Sequence, residues 1–228
     1  MSKSNMKLNH FSSQKNFISD TVQFIEEICK TKKGIIHIAL SGGSTPEPIY
    51  KKLRTSKKIP WSRIHFFLVD ERYVPLKNAD SNYKMITKAF GQPVLKKLKN
   101  FTYFHTDLPI KKCLDLYEKE LKKISFDLTI LGVGPDGHTA SLFPRSAALT
   151  TKKPVAHTTT KQFSVKDRLT LTFPPILKSK KILILLKGKE KYPVLHELQK
   201  NGKKNSSAFP AKILVKHRGL TIHFLQSP

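Results

Sequence analysis

The chain has 228 residues, of which 39% are hydrophobic, and its 42 basic and 16 acidic side chains give a formal net charge of +26. This length can bury a sizeable core, and because no Gly/Ser-rich or Pro-rich linker divides the sequence, we predict one domain over residues 1–228. No apolar run reaches the ~18 residues of a membrane span, and residues 1–16 lack the apolar core of a signal peptide, so we predict a cytoplasmic protein without a membrane partner.

A charge of this size is, on composition alone, typical of proteins that bind nucleic acid. However, 36 of the 42 basic residues are lysines, which are spread over all the predicted helices and loops. No basic stripe interleaved with aromatic side chains is visible along the sequence. We therefore favour a solvated, lysine-rich surface and no specific nucleic-acid partner, with a basic nucleic-acid-binding protein as the alternative.

Apolar periodicity divides the chain into alternating strands and helices. Both cysteines, Cys29 and Cys113, fall on apolar helical stripes, which is typical of reduced core thiols. The alternation predicts an α/β fold with a mainly parallel open sheet and helices on both faces. The predicted elements are a helix over 17–29, strands over 34–40 and 64–69, a helix over 85–98 interrupted at 91–93, a strand over 101–106, a helix over 110–124, strands over 126–131, 154–159, 169–173 and 181–187, a helix over 190–199 and a strand over 220–225.

The first motif follows the strand over 34–40. It combines hydroxyl groups with flexible backbone and precedes a helix predicted to begin at Pro46. The spacing of Ser44 and Glu47 predicts a capping box, which would turn the positive end of the helix towards the loop and favour phosphate there. A helix cap without a ligand is the alternative. The candidate phosphate-binding residues are Ser41, Gly42, Gly43, Ser44 and Thr45.

The second motif lies at the end of the strand over 64–69. Arg72 follows two acidic residues there, and a guanidinium can bind phosphate through two N–H groups. Asp70 or Glu71 could hold the arginine in place or contact sugar hydroxyl groups. An ordinary surface salt bridge is the alternative.

The third motif extends from residue 126 to residue 144, where a strand leads into a turn with three glycines and then into a helical turn predicted over 139–143. Asp136 and His138 are therefore predicted at a strand-to-helix junction, where open α/β sheets bind ligands. An imidazole titrates near neutrality, and a carboxylate two residues away could orient it, so the pair suits a general base with its support. A solvated loop histidine beside a turn aspartate is the alternative.

These segments, SGGSTP, DERYVP, SNY and GVGPDGHTASLFP in this order, resemble the motifs of the 6-phosphogluconolactonase family over most of the chain. The resemblance implies a Rossmann-like sheet and hydrolysis of a small sugar-phosphate lactone, 6-phospho-D-glucono-1,5-lactone, with no metal or cofactor. It implies that His138 is the base and Asp136 its support. Lys191 matches a phosphate-binding lysine of related sugar-phosphate enzymes, and Arg168 resembles the arginine that opens a family strand.

The resemblance weakens towards the C-terminus, where Leu177, Lys180, Lys181 and residues 222–226 depart from the family pattern. A rival family, the amino-sugar-phosphate isomerase/deaminases, shares the fold and the Asp-Gly-His turn. It carries an acidic residue shortly after the histidine, where this chain has Ser-Leu-Phe-Pro at 141–144. We expect a monomer or a weak oligomer.

Overall fold

A seven-stranded sheet forms the centre of the computed structural model, which describes residues 6–200 and 206–226. Every pair of neighbouring strands in this sheet is parallel. The predicted α/β fold with a mainly parallel, Rossmann-like sheet is therefore confirmed. In spatial order the strands are β1 (Lys7–Phe11), β10 (Leu220–Leu225), β9 (Lys181–Lys187), β6 (Leu128–Leu131), β2 (Ile36–Leu40), β3 (Ile64–Leu68) and β5 (Asn100–Thr102).

A smaller antiparallel sheet, which the sequence analysis did not predict, adjoins the end of β3. Its strands, in spatial order, are β4 (Asp70–Arg72), β8 (Asp167–Leu171) and β7 (Val155–Thr159). Val69 joins β3 to β4 and accepts a hydrogen bond of 2.8 Å from the amide of Leu171. The small sheet is thus attached to the carboxyl edge of the large one.

The helices surround the large sheet and begin where local chemistry favours them. Ser13 caps α1 by accepting from the amide of Asn16, and Ser81 caps α3 in the same way. Both cysteines are free and buried. In the described part of the chain, no helix has the length and apolar content needed to cross a membrane. The helices are α1 (Gln14–Thr31), α2 (Glu47–Leu53), α3 (Asn82–Phe90), α4 (Gln92–Leu95), α5 (Ile110–Glu120), α6 (Phe173–Leu177) and α7 (Tyr192–Gln199).

Two local predictions were wrong, namely the helical turn over 139–143 and the capping box of Ser44 and Glu47. Residues 139–143 form a tight turn instead of a helical turn, because Ala140 has a left-handed φ of 53° and the amide of Ser141 bonds to the hydroxyl of Thr170 on β8. The capping box does not form either. Pro46 is the N-cap of α2, and no side chain caps this helix.

The end of the strand predicted over 169–173 was also wrong. The strand ends at Leu171, and Phe173 begins α6. Prolines at 174 and 175 follow directly, and proline is tolerated in the first turn of a helix but lacks the N–H that a strand needs.

A buried histidine, His223, links β10 to α1 and β1. It is 1% exposed. Thr21 donates its hydroxyl proton to a backbone carbonyl at 2.6 Å, so its oxygen accepts from Nδ1 of His223, 2.8 Å away. Nε2 then accepts from the side-chain amide of Asn9 at 3.1 Å. This arrangement satisfies the neutral ring, and burial lowers the pKa of His223 to about 4.

We predict that stability falls as pH decreases from about 6.5 to about 4, because unfolding restores the ordinary pKa of His223 and the unfolded chain binds the proton first. The difference between the pKa values of His223 in the folded and unfolded states corresponds to a decrease of roughly 3 kcal/mol in the free energy of unfolding. Urea unfolding at several pH values in this range measures the free energy of unfolding. His223→Phe should have a shallower dependence on pH, whereas His196→Asn, which removes an exposed histidine, should follow the wild type. Parallel curves for wild type and His223→Phe would contradict the prediction.

Candidate active site

The candidate site is a cleft of about 430 Å³ at the carboxyl edge of the large sheet. After β2 the chain adds β3 and β5 on one side of the sheet, and after β6 it adds β9 and β10 on the other side. The adjacent strands β2 and β6 therefore mark a topological switch point, where α/β sheets bind ligands. The hydroxyl of Ser41 donates to the carbonyl of Ile130 at 2.7 Å and ties the two strand ends together. The parallel topology therefore brings motifs that are distant in sequence to one place.

Nine of the ten residues that the sequence analysis singled out line this cleft, and the tenth, Asp136, lies behind His138. All three motifs and both isolated basic residues are therefore brought together. The nine lining residues are Ser41, Gly42, Gly43, Ser44, Thr45, Arg72, His138, Arg168 and Lys191.

His138 and Asp136 form a hydrogen-bonded pair. The distance between Nδ1 of His138 and Oδ1 of Asp136 is 2.6 Å, and the same oxygen accepts from the His138 amide at 3.1 Å. Burial opposes ionisation of Asp136, but the hydrogen bonds from His138, and the positive charge of its ring when it is protonated, outweigh burial and hold the pKa of this carboxyl below its ordinary value. An ionised carboxylate only accepts hydrogen bonds, so Nδ1 carries a proton and Nε2 of the neutral ring is the basic nitrogen.

The walls around the imidazole are a glycine and two aromatic rings. A Cβ added to Gly134 would lie 2.2 Å from the ring of His138, so only glycine allows this close approach. On other sides, the rings of Phe143 and Phe163 have centroids 5.0 and 5.8 Å from that of His138. These rings reduce the access of bulk water to the base.

The loop over 41–45 offers backbone N–H groups. Within the residues that the structure describes, the amides of residues 42–45 make no hydrogen bond. The hydroxyl proton of Ser41 is already donated to β6, which leaves its oxygen only as an acceptor. An anion in this loop would therefore bind to backbone N–H groups.

Two arginines occupy the opposite wall. Arg72 and Arg168 lie directly across from each other in the β4–β8 ladder, and Arg168 is 6% exposed beneath the ring of Phe163. Burial, followed by the charge of Arg72, lowers the pKa of Arg168. Within residues 6–200 and 206–226 neither guanidinium forms an ion pair with a carboxylate. Asp70, Asp80 and Glu71 offset part of this lowering of the pKa from a longer distance, but two adjacent cations that no carboxylate of the described residues contacts directly still favour an anionic ligand.

Lys191 closes the cleft from the side of β9. Its ammonium donates to the carbonyl of Val133, in the glycine turn, at 2.9 Å. The charge therefore lies beside the turn that carries His138.

The family model described as glucosamine-6-phosphate isomerases/6-phosphogluconolactonase matches residues 12–223. The chain belongs to this family. A protein of Dictyostelium discoideum named probable 6-phosphogluconolactonase is 36% identical over 218 residues, which cover 89% of this chain and 90% of the relative. The 6-phosphogluconolactonase of Thermotoga maritima is 40% identical over 189 residues, which cover 79% and 85% of the two chains.

Solved structures agree with this family membership. The crystal structure of 6-phosphogluconolactonase from Thermotoga maritima has a TM-score of 0.84 at 34% identity and covers 97% of this chain and 99% of its own. The enzyme from Plasmodium vivax has a TM-score of 0.86 at 25% identity and covers 100% and 93%. A monomeric glucosamine-6-phosphate deaminase has a TM-score of 0.83 at 20% identity, which shows the shared fold alone.

Of the two acidic residues that were expected to hold Arg72 in place or to contact sugar hydroxyl groups, Glu71 holds the backbone of Arg72. Glu71 is fully buried and does not bind the guanidinium. Its carboxylate accepts from the amides of Arg72, Asn82 and Tyr83 at 2.7–2.8 Å. Ser81 adds a hydroxyl donor at 3.1 Å. Glu71 thereby fastens β4 to the start of α3.

Asn82, which belongs to the SNY segment but was given no role of its own, connects this network to the loop over 41–45. Its side-chain amide donates to the carbonyl of Asp70 at 2.8 Å, so its Oδ1 points away from β4. A Cβ added to Gly42 would lie 1.9 Å from that Oδ1. Its position at the start of a helix after Ser81 was visible in the sequence, but its contact with a loop 40 residues earlier was not.

We predict that Gly42→Ala destabilises the protein by about 1–3 kcal/mol and lowers its activity, because the new methyl group must displace the buried Asn82. Urea unfolding and kinetic assays measure the two effects. Gly132→Ala is the control for the unfolding measurement only, since a Cβ at Gly132 meets no atom within 4 Å but Gly132 lines the cleft. Replacing Asn82 with glycine in the Gly42→Ala background should restore part of the activity. If Gly42→Ala has the stability and activity of the wild type, the close contact between Gly42 and Asn82 is not required for either.

Proposed function

We propose that this protein hydrolyses 6-phospho-D-glucono-1,5-lactone to 6-phospho-D-gluconate. The observation that carries the proposal is the hydrogen-bonded pair of His138 and Asp136 in a cleft that also contains free backbone N–H groups and three cationic side chains, together with Asp70, whose carboxylate accepts from the hydroxyl of Ser141. A base within reach of bound water suits ester hydrolysis, and an anion-binding wall suits a phosphorylated substrate. The names of the relatives support the same reaction.

His138 activates the attacking water in this scheme. Nε2 takes a proton from water as the water oxygen bonds to the lactone carbonyl carbon, and the carbonyl oxygen becomes an oxyanion. When the intermediate collapses, the bond to the ring oxygen breaks, and the imidazolium returns the proton to that oxygen as it becomes a hydroxyl group. Asp136 stabilises the positive ring between these steps and keeps the proton on Nδ1.

The phosphate group supplies the binding energy that orients the lactone. The amides of residues 42–45 and the cations Arg72, Arg168 and Lys191 line the same cleft as His138, so a phosphate held there would restrict the carbonyl to the neighbourhood of the base. Arg168 is already desolvated, which strengthens its attraction for an anion. We assign these residues to substrate binding.

An isomerase/deaminase reaction fits the cleft less well. That chemistry needs an acidic residue shortly after the histidine, and here the position is occupied by Phe143, whose ring packs against His138 with a centroid distance of 5.0 Å. A phenyl ring cannot transfer a proton. Glucosamine 6-phosphate is therefore a discriminating substrate, and we expect no release of ammonia from it.

We predict that His138→Asn lowers kcat by about 10²–10⁴-fold, since positioned base catalysis contributes that much, while phosphate binding and folding stay close to wild type. Lactone hydrolysis is measured above its spontaneous background, and phosphate affinity is measured separately. His157→Asn is a matched control, because His157 forms a pair of 2.7 Å with Asp167 outside the cleft. If His138→Asn keeps more than about a third of the wild-type kcat, His138 is not the base.

We predict that Arg72→Ala weakens substrate binding roughly ten- to a hundred-fold, which is the cost of losing a charged hydrogen-bond partner. Inorganic phosphate should compete with substrate in the wild type and compete less well in the variant. Arg218→Ala removes the same charge at the amino end of β10, away from the cleft, and should leave KM unchanged. Equal effects of the two substitutions would point to overall charge instead of a phosphate contact.

A further inference from the structure

A row of aromatic side chains lies at the outer edge of the large sheet, next to β5. The ring centroids of Tyr83 and Tyr103 are 4.2 Å apart, that of His105 lies 4.5 Å from Tyr103, and that of Phe101 lies 5.5 Å from Tyr83. His105 is exposed and the other three are half-buried. These four residues, which we call the aromatic row, are brought together from α3 and from the segment around β5.

Three members of the aromatic row, Tyr83, Phe101 and Tyr103, border a depression of about 440 Å³, and His105 lines an adjoining depression together with Glu120. Two lysines, Lys96 and Lys99, line the first depression together with the amide side chains of Gln92 and Asn100, and no acidic residue is among its lining residues in the described part of the chain. An aromatic wall, side-chain amides and ammonium groups are the groups that bind a base and its phosphate.

The surrounding surface is also positive and unpaired. The lysines of this region are exposed, and within residues 6–200 and 206–226 none of them forms an ion pair. Their charge is therefore available to a polyanion, in a protein whose net charge is +26. These lysines are Lys84, Lys88, Lys96, Lys97 and Lys99.

This surface is separate from the catalytic cleft. β5 is the edge strand, and two strands, β3 and β2, lie between it and β6, which carries the His138 turn. No residue of the aromatic row lines the cleft. The lactone reaction uses neither the row nor its lysines, so they can serve another ligand.

We propose that the aromatic row and its lysines bind single-stranded nucleic acid without sequence preference. Unpaired bases stack against the row while the backbone phosphates lie along the lysines. A single strand fits better than a duplex, because the bases of a duplex have their faces covered by their neighbours. A single strand also fits better than a free nucleotide, because several separated lysines can each bind a different phosphate of the same strand. The proposal does not depend on the lactonase function.

The test is the fluorescence anisotropy of a labelled oligothymidylate of about 15 nucleotides, titrated with the full-length protein at salt concentrations from about 50 to 200 mM. We expect Lys96→Glu/Lys99→Glu to weaken binding by about tenfold or more at the lower salt. Lys15→Glu/Lys30→Glu on α1 changes the net charge equally at exposed positions of another element and should weaken it by no more than about threefold. Equal losses would show attraction to overall charge and overturn the proposal.

Two further variants test stacking. Tyr103→Leu keeps an apolar side chain but removes an aromatic face. His105→Ala removes the ring of an exposed residue, so it leaves the buried core packing unchanged. Each should weaken binding by about fivefold or more, while lactone hydrolysis stays at the wild-type rate. Inorganic polyphosphate, a DNA duplex and thymidine monophosphate are compared as competitors. If neither variant changes affinity, or if any of these competitors binds as tightly as the oligothymidylate, the proposal is wrong.

Discussion

The buried carboxylate of Glu71 holds together the parts from which the cleft is made. It accepts hydrogen bonds from β4 and from the first residues of α3, and Asn82 extends the connection to the loop at the end of β2. Burial raises the pKa of Glu71, and the three amide donors partly offset this effect. A carboxylate without solvent is costly unless its acceptors are filled, so this network favours a single arrangement of Arg72 relative to the loop.

The cleft contains an excess of positive charge that other groups of the protein do not fully neutralise. Arg168 is buried beside a second arginine and forms no ion pair within the described residues, and the more distant Asp70, Asp80 and Glu71 offset its burial only in part, since its pKa is lowered. The free amides of residues 42–45 add positive partial charge on the other side. The buried positive charge and the free amides lower the stability of the unliganded protein, and an anion that binds to them stabilises the folded state. This is a common property of binding sites.

Two histidine–aspartate pairs show why geometry alone does not identify a base. The 136–138 pair and the pair of His157 with Asp167 have N···O distances of 2.6 and 2.7 Å. The side chains of the first pair are 17% and 20% exposed, and those of the second 32% and 48%. The second pair is more solvated, and neither of its residues lines the cleft that contains the free amides and the arginines.

The sequence by itself determined the elements and the chemistry. Periodicity located six of the seven strands of the large sheet but missed β1, which the sequence analysis did not predict. The Asp-Gly-His turn, the SGGST loop and Arg72 were recognisable because each is a short contiguous pattern. Only the tertiary structure decided which distant residues meet. The antiparallel sheet that pairs Arg72 with Arg168, the contact of Asn82 with Gly42, and the turn at Ala140 all depend on long-range packing. The alternation of Phe101, Tyr103 and His105 is present in the sequence, but the contact of Tyr83 with Tyr103, 20 residues later, forms only when α3 packs beside β5.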